Sequence, residues 1–267
     1  MKIFPLLFAF LHLSTWAQNH DQPLLAKGSI PKDFTIKSSE IHQKDNSANS
    51  SAGKFEKKAK KDFVEENSYS LHNLLYSGNV IFNDSITNYI NKVADEVFSK
   101  KKALRSKLRF YTMKTAAVNA FATHNGIIFI TTGLLSQLEN EAQLAMVLCH
   151  EAIHYQNNHS INKYVENQEI IHGKGVYRNN SWDDKALSHY SYSKELELEA
   201  DLEGAKIFQE SAYSTESVDR LFDILKYSHL PYDLIPFEKS FFETKQMKFP
   251  QDYFLAEDDI SKISTEE

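Results

Sequence analysis

A chain of 267 residues that is 42% hydrophobic can bury a core of ordinary size, so one catalytic-size domain with appendages is expected. A formal net charge of -6 and a pI near 6.0 give no basic footprint for neutralising phosphates, which excludes nucleic acid as an expected partner. The single cysteine, Cys149, rules out an intramolecular disulfide, leaving core packing and bound metal to hold the fold.

In chain order, Lys2 precedes an apolar run from Ile3 to Leu13, and small or polar residues lead up to Ala17. Residues 1–17 have the layout of a secretory signal peptide, because a run of about 11 residues falls short of the roughly 20 that cross a bilayer as a helix. No cysteine lies near the expected cut to accept a lipid, and no later apolar stretch is long enough to span. The mature chain is therefore expected to be exported, to the periplasm or beyond the cell. Residues 18–67 are rich in Asn, Ser, Lys and Gln and are read as a flexible polar linker, whose lysines from Lys54 to Lys61 form a solvated cluster.

The folded domain is expected over 68–267. Apolar residues recur at helical spacing in Leu71, Leu74 and Leu75, and again in Ile86, Tyr89, Ile90, Val93 and Val97. Alternation in Lys107 to Met113 and the β-branched run from Gly126 to Thr132 predict two strands. Asn140, with Gln143 three residues on, is an N-cap for a helix through Leu144, Val147, Leu148, Ala152 and Ile153 that is apolar nearly all round and hence buried. Ile161 to about Ser188 is polar, contains Gly173 and Gly175, and is expected to be a loop or cover. Two helices are expected near Tyr192 to Ser211 and Thr215 to Tyr227, followed by a tail with Pro231, Pro236 and Pro250.

The buried helix spells His150-Glu151-Ala152-Ile153-His154. Residues four apart on an α-helix are offset by about 40° and rise roughly 6 Å, so both imidazoles leave one face and can grip one ion. Glu151 stands beside them as a base for water, the zinc-hydrolase reading of this pattern. Two histidines and a glutamate in an apolar helix would otherwise be costly to bury. A catalytic zinc needs a third protein ligand and an open position. Glu197 is the best candidate, with Asp201 on the same face to hydrogen-bond the far nitrogen of a ligand histidine. Taken alone, this acidic run reads better as a solvated helix face, because acidic residues at this spacing are common.

Asn119-Ala120-Phe121-Ala122, Gly126 through Leu135, Asn140-Glu141, His150 to His154 and Glu197 to Gly204 occur in that order. Together they resemble the HtpX and CAAX-protease family of zinc metallopeptidases. The resemblance implies an α+β fold: a mainly helical zincin-type domain with a small β-sheet next to the zinc helix. It further implies that His150, His154 and Glu197 bind one Zn2+, that Glu151 is catalytic, that Asp201 supports a ligand histidine, and that Glu195 and Glu199 are bystanders. The implied activity is hydrolysis of peptide bonds in unfolded or misassembled envelope proteins, with room for peripheral membrane association. A non-catalytic binding or chaperone protein on the same fold is the alternative, and a closed structural zinc site is disfavoured because the chain has only one cysteine.

Three features depart from the family pattern. His124-Asn125 stands where Pro-Gly is usual, and Asn tolerates left-handed backbone there. Lys194 stands where Arg is usual. The His-Pro segment with a following Arg is absent through Glu267, so either the sequence is truncated or the cleft is built differently on that side. His189, Tyr190 and Tyr192 are candidates to stabilise an oxyanion. The strand Ile127 to Thr131 is expected to pair with extended substrate. Cys149 is expected to be a small core residue, and His124, His159 and His172 to lie at the surface.

Overall fold

The computed structural model describes residues 25–35, 53–172, 174, 182–227, 243–245 and 248, with the backbone alone for 182–192. A four-stranded mixed sheet in the order β1-β2-β4-β3 forms its centre, from β1 (Val80–Ile81), β2 (Arg109–Met113), β3 (Ala120–Ala122) and β4 (Ile127–Thr131). β4 runs parallel to β2 and antiparallel to β3, with Phe129 opposite Tyr111 on one side and Phe121 on the other. Every residue of β4 is buried, as its β-branched run requires of a strand covered on both faces. The expected α+β class, mainly helical around a small sheet, is the architecture found.

Alternation along the strands divides the core. Tyr111, Ile127 and Phe129 meet Phe34, Leu71, Leu75 and Val80 on one face. Leu71 and Leu75 belong to α1 (Lys54–Tyr76), and Phe34 to a short 3-10 turn, Lys32–Phe34. On the other face, Thr112 meets Thr87 of α2 (Ser85–Val97) at 2.9 Å between hydroxyl oxygens. Asp84 caps α2 by accepting from the Ile86 and Thr87 N–H groups. After the short α3 (Lys102–Arg105) and α4 (Thr132–Gln137) comes α5 (Glu141–Gln156), which packs against α2 and β3. Then follow α6 (His159–His172) and α7 (Trp182–Gln209), both of which pack on α5. A 3-10 turn, Thr215–Val218, ends this unit, and α8 (Leu221–Tyr227) lies in a separate one. Among the described residues, no helix is long and apolar enough to cross a membrane.

Part of the expected linker is ordered. Residues 54–67 are helical, because Phe55, Ala59, Phe63, Leu71 and Leu75 share one side of α1 beneath its solvated lysines. Residues 25–35 are held to the sheet: Asp33 accepts from Arg109 Nε at 2.8 Å and from the Tyr111 hydroxyl at 2.8 Å, and the Tyr76 hydroxyl donates to the Phe34 carbonyl. The expected loop from Ile161 also differs, since the chain is helical through His172 and again from Trp182. Residues 1–17, the rest of the linker and the prolines of the tail lie outside the described residues.

Turn chemistry sets the approach to the metal helix. Gly126, at φ +84°, takes the left-handed position after β3, so Asn125 is not required to do so. A Cβ there would also stand 2.4 Å from the Lys107 carbonyl oxygen, leaving only glycine to fit.

Candidate metal centre

Asn140 caps α5 by accepting from the Gln143 N–H at 3.0 Å, and the Gln143 side chain reaches back to the Glu139 N–H at 2.7 Å. This fixes the start of a helix whose residues from Ala142 to Ile153 are buried, apart from half-buried His150. Its partner α7 comes close because position 204 is glycine: a Cβ would stand 3.1 Å from the His150 nitrogen and 3.2 Å from the Cys149 carbonyl carbon. That close approach brings Glu197 and Asp201, on one face of α7, to the histidines.

His150 Nε2 and His154 Nε2 lie 2.9 Å apart, and Glu197 Oε2 is 3.4 Å and 3.5 Å from them. Asp201 Oδ1 stands 2.9 Å from His150 Nδ1. A carboxylate only accepts, so His150 Nδ1 carries the proton and Nε2 presents a lone pair towards His154. Facing lone pairs beside a carboxylate repel unless a proton or a cation lies between them. Four ligands at about 2.1 Å in tetrahedral array would put donors about 3.4 Å apart, so the residues fit a zinc ion after one ring shifts by about half an ångström. Among the described residues, these three form the group of metal-binding type whose donor atoms converge.

Glu151 is buried, 8% exposed, within electrostatic reach of both histidines and of Glu197 and held by the Ala122 N–H. Burial raises its carboxyl above the usual carboxylate range, while the two histidines and the Ala122 N–H draw it back. Burial pulls His150 down, but hydrogen bonding to Glu197 and the charges of Glu151 and Asp201 hold it above its ordinary value. The same histidines keep Glu197 well below the usual range for a carboxyl group.

β3 is the edge strand beside this helix, and β4 is interior. The Thr131 N–H donates to the Asn119 carbonyl and the Thr123 N–H to the Ile127 carbonyl, so odd positions face β4. The backbone groups of Ala120 and Ala122 therefore face outward. An incoming strand has no place on Ile127–Thr131, which corrects the expectation: the open edge belongs to Ala120–Ala122.

His159 is not a surface residue. It is 3% exposed, with Nδ1 2.9 Å from His154 Nδ1 and Nε2 3.5 Å from Glu199 Oε2. Burial and the neighbouring His154 lower its pKa. Glu199, expected to be a bystander, also accepts from the Asn157 side chain at 2.6 Å. The signal for this corner was Asn157-Asn158 after the helix: Asn158 takes φ 56° and folds the chain back, so that His159 opens the next helix against the last turn of α5. His124 is half-buried against Phe63, and His172 is exposed with its ring beside Phe55. Cys149 is buried, which pushes its thiol pKa far up, as expected of a core residue. The side chains of His189, Tyr190 and Tyr192 lie outside the described residues.

The sequence pattern of Peptidase family M48 matches residues 83–244, more than half the chain, and takes in every ligand candidate above. Over 94 residues the chain is 29% identical to the Beta-barrel assembly-enhancing protease of Yersinia pestis, a match covering 35% of this chain and 19% of that protein. Over 91 residues it is 29% identical to the protein of the same name from Escherichia coli (strain K12), covering 34% and 19% respectively. The chain thus spans about a fifth of the length of these curated relatives.

Proposed function

The chain belongs to Peptidase family M48, and from that premise we propose that it is a zinc-dependent endopeptidase, with His150, His154 and Glu197 as metal ligands and Glu151 as base. One observation carries the reading: two imidazole nitrogens and a carboxylate oxygen from separate helices converge within bonding reach of a single ion. Family membership itself supports protease activity on protein or peptide substrates.

Zinc bound there supplies a Lewis acid that polarises a carbonyl and lowers the pKa of water towards neutrality. Glu151 takes the proton from the attacking water and returns it to the departing amine, a role suited to a carboxyl whose pKa burial has raised. The Ala122 N–H holds Glu151 in place, and Asp201 holds His150 by its Nδ1 proton. Ala120 and the Ala122 carbonyl offer the outward edge of β3 to an extended substrate, which joins as an added strand.

The leader-like residues 1–17 and the name of the relatives support a place outside the cytoplasm and unfolded or misassembled envelope proteins as substrates. The linker at 18–67 would then start beyond the leader, with its ordered parts docked on the peptidase domain over 68–267. Glu151→Gln tests the assignment: zinc stays bound at one per chain while cleavage of casein is abolished. Retained cleavage removes Glu151 from its role, and a wild-type chain that binds zinc but never cuts an unfolded substrate favours a binding protein on the peptidase fold.

A further inference from the structure

His150 has its far nitrogen fixed by a carboxylate, whereas the far nitrogen of His154 meets a third histidine, His159. Two ring nitrogens 2.9 Å apart share one proton, and only one ring donates it. The opposite side of His154 decides which. Its Nε2 points into the cluster, and a nitrogen that offers its lone pair to a cation leaves the proton on Nδ1. His154 is therefore the donor and His159 Nδ1 the acceptor. A neutral His159 must then carry its own proton on Nε2, a fully buried atom that makes no hydrogen bond, and the carboxylate standing 3.5 Å from it is Glu199. Glu199 is itself held by Asn157, at the C-terminal cap of the metal helix.

We propose that His159, backed by Glu199, is a positioning residue that fixes the tautomer and ring orientation of His154, as Asp201 does for His150. The inference rests on the metal reading above and adds the residues that prepare its second imidazole. A ring buried only for packing would be replaceable by an apolar side chain of similar size. A proton acceptor is not, and that difference separates the two roles.

Zinc affinity of the full chain, measured by competition with a chromophoric chelator, is compared between wild type, His159→Leu, His159→Asn and Glu199→Gln. Isotope-labelled histidine NMR reads which ring nitrogens are protonated. Wild type shows His154 protonated at Nδ1 and His159 at Nε2. His159→Leu binds zinc about 10–100-fold more weakly and loses the Nδ1 signature of His154. His159→Asn puts an amide oxygen near the place of Nδ1 and stays within about threefold of wild type, with Glu199→Gln between the two. A folded His159→Leu chain with wild-type affinity and an unchanged His154 signature overturns the proposal. Should that variant not fold, Glu199→Gln decides: a measurable loss supports the relay, and unchanged affinity with an unchanged spectrum overturns it. A wild-type chain that takes up no zinc sinks the metal reading and this proposal together, whereas a zinc-binding wild type with indifferent variants sinks the relay alone.

Discussion

Gly204 lies against the backbone of His150, where a Cβ would stand 3.1 Å from the amide nitrogen. The distance from α7 to α5 is set at this crossing, and with it the reach of Glu197 and Asp201. Gly204→Val forces the helices apart and should lower stability by about 1–3 kcal/mol, as overpacking does. Gly204→Ala gains about 1 kcal/mol of helix propensity against a milder clash, so its melting temperature should change little while its zinc affinity falls. Thermal melts and chelator competition on both variants check this.

Asp201→Ala removes the acceptor for His150 Nδ1 and should weaken zinc binding about 10–100-fold. Chelator competition reads the change. A loss smaller than twofold would show that the His150 ring is held by its packing alone.

Removal of the metal should lower the melting temperature. Ligands held only by the folded state stabilise it through mass action, about 4 kcal/mol when free zinc stands at 1,000 times its dissociation constant. Melts with zinc and with EDTA should therefore separate, and Glu197→Ala should narrow the gap.

Tyr89 and Tyr213 both donate to Glu141 in the first turn of α5, at 2.6 Å and 2.5 Å. They hold the Glu141 carboxyl below its ordinary value, Tyr213 more than Tyr89. A depressed folded-state pKa gives stability that is complete above the unfolded value near 4.5 and is lost as pH falls through the folded one. The tyrosines titrate with the opposite sign. Burial, then Glu141, pushes Tyr89 up to about 12, so its contribution is complete below the unfolded value of 10.0 and disappears as pH rises towards 12. Glu141 is well exposed, and screening keeps the effect within about 1 kcal/mol. Urea denaturation from pH 3 to 6 should show a shallower acid limb in a Tyr89→Phe, Tyr213→Phe double variant.

Phe34 is 7% exposed and packs with Tyr111, Ile127 and Phe129. Phe34→Ala should cost about 3 kcal/mol, or less if residues 25–35 simply detach. Limited proteolysis distinguishes these outcomes, because detachment exposes new cleavage sites before the domain melts.

Phe34 also marks a limit of sequence reading. The metal helix was legible because its cap, apolar run and paired histidines lie within 17 residues, Asn140 to Gln156. β4 was legible from its β-branched run. The first part of α1, residues 54–67, was not, because its buried Ala59, Phe63 and Val64 are interleaved with lysines. β3 has only three residues, Ala-Phe-Ala, with no alternation to betray a strand, so the open edge was assigned to its neighbour. His159 is short-range in sequence and still escaped notice. Its burial depends on the left-handed turn at Asn158 and on Glu199, forty positions away, and neither pattern nor composition brings those together.

The outward edge of Ala120–Ala122 would restrict what the proposed peptidase can cut. On the peptidase reading proposed above, a peptide lying along three residues would first surrender its own internal pairing, which would favour loosened chains over folded domains. The Ala122 N–H on that edge also holds Glu151, so a docked segment and the proposed base would share one strand.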